Sequence, residues 1–301
     1  MKIAVTGATG FLGRYLVKDL IDNGYEVIVI GRDYAKLAEL FNKKNVCSYQ
    51  TNYSFEELLN IFKGVDIVIN LASELMQRNT DPLKVSSFLE NLLIFENIAL
   101  ACDKLGISKL IHMSSISCYS NLGVNSEESR SIPSNIYGVS KTFSDIYLDY
   151  LRQKSKTQFI SLRLARLFGI GDRETVLLTK LTNEAIEGKA LRVNGSGSSD
   201  IQYIYVRDVV DCIKEFLKRK DLSGLYNVGL PYKISILEIA TEINRVFENE
   251  KGIVFMEGKD ISGTFMPIEQ IVNALDWKPK WNLSEALLDM KNIIENKEFK
   301  I

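Results

Sequence analysis

Tyr137-Gly138-Val139-Ser140-Lys141 sets a phenol and an ammonium four residues apart, on one face of any helix that carries them. A neighbouring cation favours phenolate, which makes a tyrosine a usable acid and base near neutral pH. Lys141 can also hydrogen-bond a ribose hydroxyl. A second polar group comes from Ser114-Ser115-Ile116-Ser117, which closes the apolar run Lys109–Met113. A serine at the carboxyl end of a strand can donate its hydroxyl to a substrate oxygen beside Tyr137. The Tyr/Lys spacing is common on helix surfaces. Here it follows that strand and a proline-containing loop, Ile132-Pro133-Ser134-Asn135.

The other chemistry-bearing stretch is Val5-Thr6-Gly7-Ala8-Thr9-Gly10-Phe11-Leu12-Gly13. A short apolar run, a glycine-rich turn and a helical pattern from Phe11 to Ile21 make a phosphate cradle. Glycine lets the backbone approach a pyrophosphate, and the helix start offers free N–H groups with partial positive charge. The spacing is G-x-x-G-x-x-G, not G-x-G-x-x-G. Gly7, Thr9, Gly10, Phe11, Leu12 and Gly13 are therefore expected against a dinucleotide. After the second strand the chain reads Ile30-Gly31-Arg32-Asp33. Gly31 stands where a carboxylate would accept the adenosine 2′-hydroxyl of NAD, and Arg32 suits a 2′-phosphate. NADP(H) is favoured on this ground, with NAD(H) as the alternative if Asp33 turns inward. Asn52 and Tyr53 are expected beside the adenine, and Leu71, Ala72 and Ser73 along the middle of the cofactor.

Apolar strand-like runs (Lys2–Thr6, Glu26–Ile30, Val65–Leu71, Lys109–Met113, Phe159–Leu164) alternate with helical stretches (Tyr34–Phe41, Phe55–Phe62, Val85–Leu105, Tyr137–Lys154). That alternation predicts an α/β fold, a doubly wound parallel (Rossmann) sheet covered on both faces. The pattern loosens after residue 168. The expected division is a dinucleotide-binding domain over 1–168, to which 201–222 returns, and a smaller α/β substrate-binding lobe over 169–200 and 223–301.

With 301 residues and a net charge of −1, the chain has no global field for nucleic acid or an anionic membrane. No apolar run reaches the roughly 20 residues of a membrane span. The start Met1-Lys2-Ile3-Ala4-Val5 runs straight into the glycine motif, so no signal peptide is expected and a cytoplasmic, reducing compartment is. Four scattered cysteines and a single histidine, His112, argue against a metal site. His112 reads as a packed core residue, and Cys118 lacks a basic partner to activate it.

These motifs together resemble the extended short-chain dehydrogenase/reductase superfamily, in its NAD-dependent epimerase/dehydratase branch. The start T-G-A-T-G-F-L-G matches, and Asp66-Ile67-Val68-Ile69-Asn70-Leu71-Ala72-Ser73 is similar to D-V-V-I-H-L-A-A. Asn91 falls where members carry an asparagine. Ser114 to Tyr119 is similar to S-S-x-x-V-Y, and Tyr137 to Lys141 to Y-x-x-x-K. Arg163 to Gly169 resembles R-x-x-N-V-Y-G, Tyr203 to Val209 resembles F-I-H-V-D-D-V, and Tyr226-Asn227-Val228-Gly229 matches outright. The resemblance implies a catalytic triad of Ser115, Tyr137 and Lys141. It also implies Leu164 at the cofactor, and Ser73, Ser115, Ser117, Tyr137 and Arg166 at the substrate. A homodimer through Val85–Leu105 and Tyr137–Lys154 follows from the same likeness.

The implied substrate is a nucleotide-activated sugar, with hydride transfer at a sugar carbon by a 4-epimerase or a 4-ketosugar reductase. Ile201 and Gln202 stand where an arginine is expected to grip the diphosphate, and Arg166 replaces an asparagine. Ile116 and Ser117 lack the acidic groups that a dehydratase places after its serine. Two alternatives remain: an NADPH-dependent carbonyl reductase of a non-nucleotide substrate, and a catalytically silent dinucleotide sensor.

Overall fold

β1 (Lys2–Thr6) is buried from its second residue onward, and a strand of this kind needs cover on both faces. A computed structural model, which describes residues 1–43, 45–73, 85–120, 122–174 and 176–296, supplies that cover. The first half alternates strand and helix: β1, α1 (Phe11–Asp22), β2 (Glu26–Gly31), α2 (Tyr34–Phe41), β3 (Val46–Gln50), α3 (Phe55–Ile61), β4 (Ile67–Asn70), α4 (Val85–Leu105), β5 (Lys109–Ser115), a 3-10 turn (Ile116–Cys118), α5 (Ile136–Arg152) and β6 (Gln158–Leu164). There follow β7 (Arg166–Phe168), α6 (Leu177–Ile186), β8 (Leu191–Asn194), β9 (Asp200–Ile201), β10 (Tyr203–Tyr205), α7 (Val206–Lys218), β11 (Gly224–Val228), β12 (Ile234–Ser235), α8 (Ile236–Val246), β13 (Ile253–Met256), α9 (Glu269–Leu275) and α10 (Leu283–Glu295).

Seven strands form one sheet in the order β11-β6-β5-β4-β1-β2-β3, every pair parallel. Successive side chains of a strand point to opposite faces, and the core divides accordingly. Ile3, Val5, Val27 and Val29 join Leu16 and Leu20 of α1 and Ile213 and Phe216 of α7 on one face. Ala4, Ile28, Ile30 and Val68 join Leu58 of α3, Phe95 and Ile98 of α4 and Leu148 of α5 on the other. The strand order reverses between β1 and β4. A crevice opens at the carboxyl ends of the strands at such a point, and ligands of doubly wound sheets bind there.

Two strands were hidden in the sequence. β3 is an edge strand whose Cys47, Tyr49 and Gln50 are exposed, so it shows no continuous apolar run. β11 corrects the expected boundary at 222: it pairs with β6, opposite Arg163 and Leu164, and is the outermost strand of the large sheet. Its opening Gly224 and the polar Asn227, one residue before its end, masked it. Beyond the sheet, β8 pairs with β13, β7 with β10 and β9 with β12. Ile239 and Ile243 of α8 and Leu287 and Met290 of α10 extend the α1-side core into this lobe.

Candidate active site

The phosphate turn is built of backbone. Gly7 has φ 66, and a Cβ there would lie 2.8 Å from the backbone of Leu71 and Ala72. Only glycine lets the turn after β1 close on the end of β4. Thr9 lies in this turn, Gly10 is the N-cap of α1, and Phe11, Leu12 and Gly13 form its first turn. The cap carries no side-chain hydrogen bond and the first turn no acidic residue, so the N–H groups at this helix start have no side-chain acceptor at the cap. By contrast α8 and α10 begin with complete capping boxes, Ser235 with Glu238 and Asn282 with Glu285. The open start of α1 fits a diphosphate.

Asn70, at the end of β4, steadies this floor. Its Oδ1 accepts from Thr6 Oγ1 at 2.7 Å and from the Ala72 N–H at 3.1 Å, and its Nδ2 meets His112 Nδ1 at 3.1 Å. His112 is buried and packs on Phe95, and burial drives its pKa well down. It is the packed residue expected. The Leu71 N–H donates to Thr6 O, and Ser73 Oγ donates to Asn91 Oδ1 at 3.4 Å.

The second strand's end differs from expectation. Arg32 pairs with Glu90 of α4 at 3.2 Å, and the Asp33 side chain accepts from the Lys36 N–H as the N-cap of α2. Asn52 accepts from the Ser54 N–H through Oδ1, a turn leading into α3. Tyr53 is buried with φ 65, its phenol against the backbone of Gly7.

Ser115, Tyr137 and Lys141 converge at the carboxyl end of β5. Ser115 ends the strand, opposite Leu164 of β6, and its Oγ accepts from the Ser117 N–H at 3.1 Å, which leaves its proton to give. Asn135 caps α5 by accepting from the Gly138 N–H. A Cβ on Gly138 would lie 2.1 Å from Ser117 O, so glycine at this position lets the helix press against the turn that carries Ser115 and Ser117. Lys141 Nζ donates to Met113 O at 2.8 Å and lies 5.6 Å from the centre of the Tyr137 ring.

The electrostatics correct one expectation. Burial pushes the Tyr137 phenol up to about 12, raised further by Cys118 and opposed by Arg173, rather than lowering it. Burial also brings Lys141 down to about 8. In the free protein desolvation is the largest influence on both groups. Cys118 is itself raised, by burial and by Asp145, so it stays a thiol although Arg163, a basic neighbour the sequence did not reveal, acts to lower it.

On the substrate side Arg166 is exposed at the start of β7, beside the buried Tyr203. Gln202 faces inward instead. Its Nε2 donates to Leu230 O and Met266 O, and its Oε1 accepts from the Met266 N–H, so it braces this wall. Sequence reasoning missed Arg173, on the loop after β7. Arg14 Nη2 donates to Gly171 O and Tyr15 Oη to Ile170 O, which ties that loop to α1. It also missed Asp145 and Arg163, paired at 2.8 Å beneath Tyr137 and Lys141. An arginine inside the apolar run Phe159–Leu164, and an aspartate one helical turn after Lys141, were the available signals.

Among the described residues no group of histidine, cysteine and acidic side chains is placed to hold a metal, and no helix is long and apolar enough to cross a membrane. A model of the NAD dependent epimerase/dehydratase family matches residues 3–229. The chain is similar to the trifunctional UDP-glucose 4,6-dehydratase/UDP-4-keto-6-deoxy-D-glucose 3,5-epimerase/UDP-4-keto-L-rhamnose-reductase RHM2 of Arabidopsis thaliana, 23% identical over 95% of this chain; it spans 46% of that protein. Among solved structures it is similar to UDP-N-acetylglucosamine 4-epimerase from Bacillus cereus, with a TM-score of 0.85 and 25% identity, covering 98% of this chain and 96% of that one. It shares its fold with UDP-glucuronic acid 4-epimerase from Bacillus cereus, solved with UDP-glucuronic acid and NAD, at a TM-score of 0.85 and 22% identity, covering 99% of this chain and 100% of that one.

Proposed function

Since the chain belongs to the NAD dependent epimerase/dehydratase family and is an enzyme of that kind, we propose that it is a 4-epimerase of a nucleotide-activated sugar working with NAD(H). The observation that carries this reading is the convergence of Ser115, Tyr137 and Lys141 at the end of β5. The open N-terminus of α1 lies in the same sheet's crevice.

Bound nicotinamide supplies the acceptor and donor of hydride. As phenolate, Tyr137 Oη would take the proton of the sugar 4-hydroxyl and later return it to the same oxygen. Ser115 donates to the same oxygen. Lys141 holds the ribose and, when charged, favours the phenolate. Gly7 and Gly10 to Gly13 hold the pyrophosphate, Leu71, Ala72, Ser73 and Leu164 the middle of the cofactor, and Asn52 and Tyr53 border the adenine. Arg173 and Arg166 supply positive charge toward the diphosphate in place of the arginine that Ile201 replaces, with Ser73 and Ser117 bordering the sugar.

NAD(H) is preferred over NADP(H) because Glu90 holds Arg32, so a 2′-phosphate would meet a carboxylate beside the arginine. The UDP-glucuronic acid 4-epimerase with NAD bound supports the same choice. Leu93 and Ile146, 57% and 64% exposed on α4 and α5, are the surface through which we expect a homodimer.

Dinucleotide released from freshly purified protein, identified by absorbance and mass spectrometry, is the first test. The protein is then incubated with UDP-glucose, UDP-N-acetylglucosamine and UDP-glucuronic acid, and the sugar is read by NMR. Retained NAD(H) with conversion to a 4-epimer agrees with the reading. An empty site that consumes NADPH replaces it with a 4-ketosugar reductase, and failure to bind either dinucleotide overturns it.

A further inference from the structure

Beneath Tyr137 and Lys141 lies a charged pair that the reaction above leaves unused. Asp145 stands one turn beyond Lys141 on α5, and Arg163 sits within β6. Arg163 Nε meets Asp145 Oδ2 at 2.8 Å, with each side chain 4% exposed. The same carboxylate accepts from Ser114 Oγ at 3.0 Å and from Ser161 Oγ, and the Cys118 thiol lies 3.6 Å from it. Arg163 donates onward to Ser131 Oγ at 3.1 Å and lies over the Tyr119 ring.

A buried ion pair is a poor device for stability alone, because desolvation offsets most of its attraction. Its placement carries more information. Lys141 grips Met113 O and Asp145 grips Ser114 Oγ, so α5 holds the two β5 residues immediately before Ser115. Several groups face Lys141. Tyr137 and Asp145 lie on its own helix, Cys118 on the 3-10 turn, His112 on β5, and Arg163 on β6 behind Asp145. His112 is kept neutral and Cys118 protonated by burial. On α4, Glu96 and Asp103 act on Tyr147. Asp145 therefore supplies the negative charge that offsets the burial of the Lys141 ammonium.

We propose that Asp145 is a positioning residue of this site, acting through Lys141 to keep the ammonium charged while it holds α5 in register with Ser115. The inference rests on the roles given to Tyr137 and Lys141 above.

Asp145→Asn preserves size and removes the charge. Lysine side chains labelled with 13C and 15N, with the Lys141 signal assigned through Lys141→Arg, report its titration directly. The midpoint is expected to fall by about one pH unit in Asp145→Asn, a roughly tenfold loss of charged Lys141 above the midpoint. It should recover in Asp145→Glu. It should stay in place in Ser161→Ala, which loses a hydrogen bond and keeps the charge. Turnover of the UDP-sugars above should fall about fivefold at pH 8, where Lys141 starts half charged, and far less at pH 6.5. If Arg163 left unpaired prevents folding, Asp145→Asn/Arg163→Gln removes both charges; they oppose each other at Lys141, so the midpoint should still fall, by less than in Asp145→Asn, because Asp145 is the nearer of the two. An unmoved midpoint in a folded variant overturns the inference, as does an equal loss of turnover at every pH, which is the mark of a brace. Wild-type turnover in Lys141→Met would instead overturn the catalytic reading, whatever Asp145 does.

Discussion

The two sides of the cleft are made of different material. On the proposed dinucleotide side the groups offered to a ligand are main-chain ones: the turn at Gly7, the uncapped start of α1, the Leu71–Ser73 segment held by Asn70. On the proposed substrate side they are side chains, Arg166 at the start of β7 and Arg173 on the loop after it. A backbone site depends on residue size and φ, so few residue types satisfy it. A side-chain site can be rebuilt by moving one charge to another loop. The first kind therefore leaves a motif in the sequence, and the second leaves only a composition.

Substitutions can break this contrast. The largest effect is expected where both sides meet: Tyr137→Phe should lower turnover by about a hundredfold or more, with dinucleotide affinity nearly unchanged. Turnover at the wild-type rate, with the dinucleotide bound, would remove Tyr137 from the chemistry. Gly7→Ala comes next. Its Cβ would press on Leu71 and Ala72 in a left-handed backbone, at a cost of about 1–3 kcal/mol. Isothermal titration should show that loss in dinucleotide affinity; equal affinity would mean that the turn is not a cradle. Arg173→Ala tests the other side. KM for a UDP-sugar should rise about tenfold with kcat little changed, as for lost uniform binding. A fall in kcat at constant KM would assign Arg173 to the phenol instead of the diphosphate. The smallest effect serves as the control: Ser235→Ala opens the capped start of α8 and should cost about 1 kcal/mol in denaturant unfolding. Dinucleotide affinity should not change, because that helix start is already closed by its own side chains.

What could be read in advance follows the same division. The glycine turn, the five inner strands and the Ser115, Tyr137 and Lys141 group were legible, because each depends on local periodicity or on a fixed spacing. β3 was not, since its residues are largely exposed, and β11 was not, since its apolar residues are interrupted by the buried Asn227. The direction of the Tyr137 shift was misjudged because spacing reveals a neighbour's charge and not its desolvation. Arg32 seemed free to hold a phosphate because Glu90, its partner at 3.2 Å, lies 58 residues further on. Asp145 and Arg163 were visible as residues and invisible as a pair, since they lie 18 residues apart and meet only where α5 packs back on β6.

Arg14 and Tyr15 hold the carbonyls of Gly171 and Ile170, so the helix whose start faces the pyrophosphate also holds the loop that carries Arg173. Thermodynamic linkage makes such a connection act in both directions. Under the proposed function, whatever the dinucleotide gains by ordering α1, the sugar nucleotide gains in turn from a loop already fixed in place. Each ligand then prolongs the residence of the other.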